Sequence, residues 1–281
     1  MSDAPFTHLR AVVLDWAGTI IDFGSRAPVG ALGAALRQHG IEADESEIRR
    51  FMGMRKPDHV KAILALPTVR DRYEAAHGTS LPVTAADDVF AFYRSHQPTV
   101  VAESSDPIPY AATTLSRLRA RGLRIGTSTG FDRATIDALR PRLAGEGFDP
   151  DAIVTASDCE QGRPHPDMLR ENARQLHVDD PARIVKVDDA PIGITAARRF
   201  GCWSVGVTIS GTLIGCSPAE WASLSAADQA DRRASAIRAH DAAEADAVID
   251  TVADLEAVLD ALDARLRAGE RPAPPTVPAD A

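Results

Sequence analysis

Ala11-Val12-Val13-Leu14 is an unbroken apolar tetrad inside the run Leu9 to Asp15, and the acid arrives only at its end. A run that is short, β-rich and free of polar alternation is what a parallel strand covered on both faces requires. Four segments of the same kind follow at Leu123–Gly126, Ala152–Thr155, Ile184–Val187 and Trp203–Val207. Helical patterns separate them. Pro109 to Arg121 carries Ala112, Leu115 and Leu118, and Pro166 to Leu176 opens on a proline, which the first turn of a helix tolerates. Strands alternating with helices of this length predict an α/β fold: a doubly wound, Rossmann-like parallel sheet.

The interval 23–104 breaks the alternation. It offers helical stretches at Gly30–His39, Asp44–Met52, Asp58–Leu64 and Ala85–Arg94 and no convincing strand. An all-helical insert after the first strand predicts a cap over the sheet edge, with Pro107 and Pro109 marking the return. The expected division is core 1–22, cap 23–104, core 105–268 and a disordered tail 269–281, whose residues 271–281 hold four prolines and no core-forming run. Beyond Gly211 the chain is Ala- and Asp-rich and reads as helical, with a short strand at Ala247–Asp250. Val252, Leu255, Leu259, Leu262 and Leu266 then step by 3, 4, 3 and 4, the stripe of a last amphipathic helix.

Composition narrows the function classes. Hydrophobic residues make up 44% and charged residues 25%, the balance of a soluble globule with ample core. With 31 basic and 40 acidic residues the net charge is −9, which argues against nucleic-acid and anionic-membrane partners. Cys159, Cys202 and Cys216 are an odd, scattered set without CxxC, so neither a disulfide framework nor a zinc ribbon is expected. The opening Met-Ser-Asp-Ala-Pro has no signal-peptide character, and no apolar run approaches the roughly 18 residues of a membrane span. A cytoplasmic enzyme acting on a small molecule is the expectation.

Asp15-Trp16-Ala17-Gly18-Thr19 falls where the first strand emerges at its carboxyl end, the place where open α/β sheets bind ligands. A carboxylate there can be a nucleophile, a general base or a metal ligand, or can simply cap a turn. The D-x-x-G-T pattern resembles motif one of the haloacid dehalogenase superfamily of aspartyl-nucleophile enzymes. Thr127-Ser128-Thr129-Gly130, Arg163 and Asp188-Asp189 follow in the order of its other motifs. The resemblance implies Asp15 as nucleophile, with Thr129, Gly130 and Arg163 binding the phosphoryl group. It also implies a Mg²⁺ ion held by Asp15, the backbone carbonyl of Ala17 and Asp189. The superfamily often shows G-D-x-x-x-D at the last motif; here the second acid is missing at Gly193, and Asp188 is a candidate further ligand.

Phosphatases of that superfamily carry an acid two residues after the nucleophile, and here that position is Ala17. A methyl cannot transfer protons, a loss of roughly 10²–10⁴ in rate for ordinary ester hydrolysis. Met52-Gly53-Met54-Arg55-Lys56-Pro57-Asp58-His59 resembles the lysine segment of the phosphonatases, the C–P-cleaving phosphonoacetaldehyde hydrolase family of this superfamily. Further similarity lies in Asp15–Thr19, Thr129-Gly130-Phe131, Gly162-Arg163-Pro164 and Trp203–Val207, so that the likeness runs to about residue 266. It implies a Schiff base at Lys56, which makes an acid at residue 17 unnecessary because the imine takes up the electrons of the leaving carbon. Lowering the Lys56 pKa from about 10.4 to about 7 needs roughly 4.6 kcal/mol of environment, part from a helix N-terminus and most from burial.

His59, one turn on, is a candidate proton relay, and Met52 a candidate packing group against the imine. Ser25 and Asp22 belong to the expected cap linker, and a homodimer joined through the caps is implied. Three other functions stay open: a related phosphohydrolase with another substrate, a silent phosphate-ligand binder, and a serine hydrolase. The last rests on Gly126-Thr127-Ser128-Thr129-Gly130, which fits G-x-S-x-G, with Ser128 as nucleophile beside Asp188 or Asp189 and His240.

Overall fold

The computed structural model describes residues 4–273. Six parallel strands, β1 (Ala11–Leu14), β2 (Arg124–Thr129), β3 (Ala152–Thr155), β4 (Ile184–Asp188), β5 (Trp203–Val207) and β6 (Ala247–Ile249), form one sheet in the order β3-β2-β1-β4-β5-β6. This is the doubly wound topology expected from the apolar runs. Strand order reverses between β1 and β4, so the ligand crevice of such a sheet opens at their carboxyl ends. Every residue of β1, β4 and β5 is buried, which explains their largely apolar character.

Between β1 and β2 the chain forms α1 (Ala27–Gln38), α2 (Glu45–Arg49), α3 (Lys56–Leu64), α4 (Pro67–His77), α5 (Ala85–Ser104) and α6 (Ala111–Ala120). The helices of 27–104 build an apolar cluster of their own around Leu32, Leu36, Val60, Ile63 and Val89, separate from the clusters on the two faces of the sheet. The outgoing and returning connections touch: Ile108 N donates to Ile20 O at 2.9 Å and Asp22 N to Asp106 O at 2.8 Å. Asp22 also accepts from Arg26 N and Ala27 N at 3.0 and 2.9 Å, so it caps the entry to α1, and burial pushes its carboxyl up to about 6.

Three helices of this stretch depart from the sequence expectation: α2 ends at Arg49, short of the expected Met52, and α4 and α5 differ further. α4 went unread because Val69 is its single buried residue, leaving no apolar stripe to detect. α5 continues ten residues past Arg94 and through Pro98, held by packing of residues such as Val101 against the sheet's own cluster.

The second half of the chain adds α7 (Arg133–Gly145), α8 (Asp167–Gln175), α9 (Pro191–Phe200), α10 (Pro218–Ser223), α11 (Ala226–Ala242) and α12 (Leu255–Arg267). α9 bridges β4 and β5 and begins three residues after β4 ends, which places Asp188 at the strand end and Asp189 in the tight turn that follows. Within the expected tail, Arg271 pairs with Asp180 at 2.8 Å; residues 274–281 lie outside the described residues. The three cysteines are free, and no described helix is long and apolar enough to cross a membrane.

Candidate active site

Register assembles the centre. Leu14 pairs with Thr127 on one side and Val187 on the other, so Asp15 emerges level with Ser128 and Asp188. Arg163, on the loop after β3, reaches across with one nitrogen: Nη2 donates to Asp15 Oδ1 at 2.9 Å and to Ser128 O at 2.8 Å, and lies 3.3 Å from Asp188 Oδ2. Its Nε and Nη1 are buried without a partner among the described residues, two donors fixed beside the carboxylate. Burial raises the Asp15 pKa against the pull of Arg163. Thr129, the last residue of β2, turns its buried hydroxyl oxygen to Phe131 N at 3.1 Å, leaving the hydroxyl proton to donate elsewhere.

Asp188 and Asp189 have different surroundings. Asp188 Oδ1 accepts from Ala190 N at 3.0 Å, and Oδ2 lies 2.9 Å from Lys186 Nζ. Burial pushes Asp188 up, yet Arg163 and Lys186 together hold it below the usual carboxylate range. Asp189 accepts from Thr212 N at 2.7 Å and is driven well above the ordinary value, by burial first and then by the charges of Asp15 and Asp188. The three carboxylates offer oxygens within 4.8 Å of one another. Gly18, at φ +79°, is what lets Asp189 come so close, since a Cβ there would stand 2.2 Å from its Oδ2. Three carboxylates crowded together out of water are relieved by a cation, so this donor set fits a divalent metal ion of the hard, oxygen-seeking kind.

The segment Met52–Lys56 lowers onto these loops from above. Gly53, at φ +90°, nestles against Ile192, where a Cβ would approach to 2.6 Å, and Arg55 Nη1 donates to Glu160 O at 2.7 Å. A cavity of about 30 Å³ remains, lined by Asp15, Ala17, Met52, Lys56, Thr129 and Arg163 among others. That is room for about one water molecule, between the sheet-end loops and residues of the 27–104 helical segment. Ser25 lines the same cavity.

Lys56 is the first residue of α3, with Pro57 next, where a missing N–H costs nothing. Its side chain is buried, and its pKa falls to about 8, chiefly through burial, with Asp15 pulling the other way. Nζ lies 3.5 Å from His59 Nδ1, while His59 Nε2 lies 2.7 Å from Ile48 O. A carbonyl can only accept, so Nε2 carries the ring proton and Nδ1 faces the amine as an acceptor. Burial and the Lys56 charge hold His59 near pKa 3, so the imidazole is neutral.

The serine-hydrolase arrangement does not assemble. Ser128 Oγ accepts from Arg163 at 3.2 Å, whereas His240, on α11, has its Nε2 hydrogen-bonded to Val207 O of β5 at 3.0 Å. Conversely, Lys186, Thr212 and Ser210, whose Oγ donates to Gly18 O at 2.8 Å, escaped the sequence reading. Lys186 had a signal: a lysine in the middle of a strand buried on both faces requires a counter-charge.

The sequence model of the haloacid dehalogenase-like hydrolases matches residues 9–201. The chain is 38% identical over 265 residues to the phosphonoacetaldehyde hydrolase of Paraburkholderia xenovorans, covering 94% of this chain and 99% of that protein. It is 40% identical over 267 residues to the enzyme of the same name from Klebsiella pneumoniae, with the same coverage of each. A crystal structure of a phosphonoacetaldehyde hydrolase-like protein from Oleispira antarctica superimposes with a TM-score of 0.91 at 33% identity, covering 97% of this chain and 99% of that one.

Proposed function

The chain belongs to the haloacid dehalogenase-like hydrolases and, within them, to the phosphonoacetaldehyde hydrolase family, and from that premise we propose that it cleaves the C–P bond of phosphonoacetaldehyde to acetaldehyde and phosphate. The observation that carries the chemistry is Lys56, a buried amine of lowered pKa that shares one small cavity with Asp15. A simple phosphatase has no use for a nucleophilic amine at that point.

The neutral Lys56 amine adds to the substrate aldehyde, and loss of water gives a protonated imine. His59 Nδ1 takes a hydrogen bond from Nζ, orients its lone pair and receives a proton only in transit, since its low pKa forbids storing one. Asp15 then attacks phosphorus. The C–P electron pair moves into the imine, which becomes an enamine, and the phosphoryl group passes to the Asp15 carboxylate. Water hydrolyses the aspartyl phosphate; the enamine is protonated on carbon, and hydrolysis of the resulting imine frees acetaldehyde and Lys56. Three waters are exchanged and one is consumed overall.

Arg163 supplies its two unpartnered donors to the phosphoryl oxygens, assisted by the Thr129 hydroxyl and the Gly130 amide. Asp15, Asp189 and the Ala17 carbonyl would hold the Mg²⁺ ion, which when bound offsets the repulsion between a carboxylate and a dianion. Asp188 is committed elsewhere, to Lys186, Arg163 and the Ala190 amide. Met52 packs beside the imine, and helices 27–104 act as the cap; a homodimer completes the proposal. The test is direct: incubation with phosphonoacetaldehyde and Mg²⁺ releases acetaldehyde and phosphate in equal amounts. Absence of phosphate release from the intact enzyme would sink the assignment.

A further inference from the structure

We propose that a second cavity, which Lys56 lines and Asp15 does not, is a subsite for a short, uncharged, hydroxylated substituent on the carbonyl carbon of the substrate, and that the enzyme therefore also cleaves β-ketophosphonates of that kind. The inference rests on the reading of Lys56 as the imine-forming amine.

Lys56 and Gly130 line both the 30 Å³ space beside Asp15 and a larger one of about 210 Å³. The larger space lies between the helical segment, which contributes Pro57, Phe90 and Gln97, and the core loops, which contribute Asp132 and Ser157. Ser157 is exposed, so one end of it reaches the surface. In the proposed reaction the imine carbon carries Lys56 Nζ, the methylene that leads to phosphorus, and a hydrogen. A trigonal carbon spreads these groups apart. With phosphorus beside Asp15, the hydrogen marks the direction in which a substituent extends towards the larger space. Nothing in the electron flow of the imine requires that group to be hydrogen.

Gln97 sets what the subsite takes. The residue is 1% exposed; its Oε1 lies 3.3 Å from Thr135 Oγ1, and its Nε2 has no partner among the described residues. The Thr135 hydroxyl has a single proton, and Asp132 Oδ1 accepts it at 2.7 Å. Turning the amide over would let Nε2 donate to Thr135 and would strand Oε1 instead. In either orientation one end of a buried amide is left unpaired, a cost that a hydroxyl group, donor and acceptor in one, removes. A full charge is not favoured. Arg55 Nη1 is committed to Glu160 O at 2.7 Å, and Asp132 Oδ1 also accepts from Thr135 N at 2.9 Å as the cap of α7. These two lining side chains bring opposite charges, while Pro57 and Phe90 give the substituent's carbon an apolar wall.

With hydroxyacetonylphosphonate the Lys56 ketimine takes the electron pair of the breaking C–P bond, the phosphoryl group passes to Asp15, and the enamine carbon gains a proton. One water is consumed overall, and the products are hydroxyacetone and phosphate. The test gives the full-length protein, with Mg²⁺, hydroxyacetonylphosphonate, acetonylphosphonate and phosphonoacetaldehyde in turn. Phosphate release and the borohydride-trapped adduct on Lys56 are measured for wild type and Gln97→Met. Both ketones are expected to form the adduct and release phosphate, the hydroxylated one with kcat/KM about tenfold or more above the methyl ketone, and Gln97→Met is expected to erase that ratio. A hydroxylated ketone that neither forms the adduct nor releases phosphate, while phosphonoacetaldehyde is turned over, overturns the proposal. So does a wild-type ratio short of tenfold, or one that Gln97→Met leaves unaltered. Should Gln97→Met not fold, the wild-type ratio decides alone. If phosphonoacetaldehyde itself releases no phosphate, the functional assignment has failed, and the subsite is scored on trapping: a Lys56 adduct about tenfold more abundant with the hydroxylated ketone supports it, and a smaller difference or no adduct refutes it.

Discussion

The burial of Lys56 sets a measurable pH signature. With a pKa of about 8, roughly 9% of the amine is neutral at pH 7 and roughly 90% at pH 9. Trapping of a substrate adduct by borohydride should therefore rise about tenfold over that interval and level off. An ordinary lysine near 10.4 would instead rise about 100-fold and keep climbing. The readout is unusually clean because the chain contains only Lys56, Lys61 and Lys186. Lys61 is exposed and Lys186 is buried against Asp188, so mass mapping assigns the adduct without ambiguity.

The same burial has a thermodynamic face. The amine falls from 10.5 unfolded to about 8 folded, so between those values the unfolded chain binds more protons and stability rises with pH. The penalty is fully present below pH 8 and gone above 10.5; its size is about 3 kcal/mol at neutral pH. Lys56→Met, similar in volume and uncharged, should abolish adduct formation yet raise Tm at pH 7, by roughly 5 °C, with the gain shrinking towards pH 10.5. An adduct on Lys61, trapping that climbs tenfold per pH unit past pH 10, or a Lys56→Met protein less stable than wild type at pH 7 would refute the reasoning.

Other outcomes follow from the geometry. Asp15→Asn should reduce phosphate release by about 10³-fold or more while leaving the Lys56 adduct trappable, checked by paired phosphate and mass measurements. Gly18→Ala would force a Cβ to within 2.2 Å of Asp189 at a backbone φ of +79°; a lower Tm and weaker Mg²⁺ binding in calorimetry are expected. Chelation of divalent ions should stop turnover, and added Mg²⁺ should restore it, followed by phosphate release.

The sheet was legible because covered parallel strands are predominantly apolar, and β1, β4 and β5 are so apart from Lys186, Ser204 and the strand-end Asp188. Asp15 and Lys56 stood out through the motifs they resemble: a strand-end acid with an alanine two residues on, and a lysine before a proline in a helical insert. What the sequence could not carry is volume. Gly193 looks like a lost acid until the Asp188 carboxyl is seen folded across it. His59 reads as a possible base until its Nε2 is found tied to Ile48 O, which fixes the tautomer and the direction of its bond to Nζ. α4 hid because a helix with one buried side chain leaves no periodic trace.

Lys56 and Asp15 line one cavity although they belong to parts of the chain with separate apolar clusters, and Gly53 seats the 27–104 segment against Ile192. In the proposed reaction, scission of the C–P bond leaves the two-carbon fragment attached to the cap and the phosphoryl group attached to the core. Opening the cap then carries the two halves of the former substrate apart while each is still covalently held. In that reading, a cap that lifts would separate the two halves before either is released, so that the bond could not re-form.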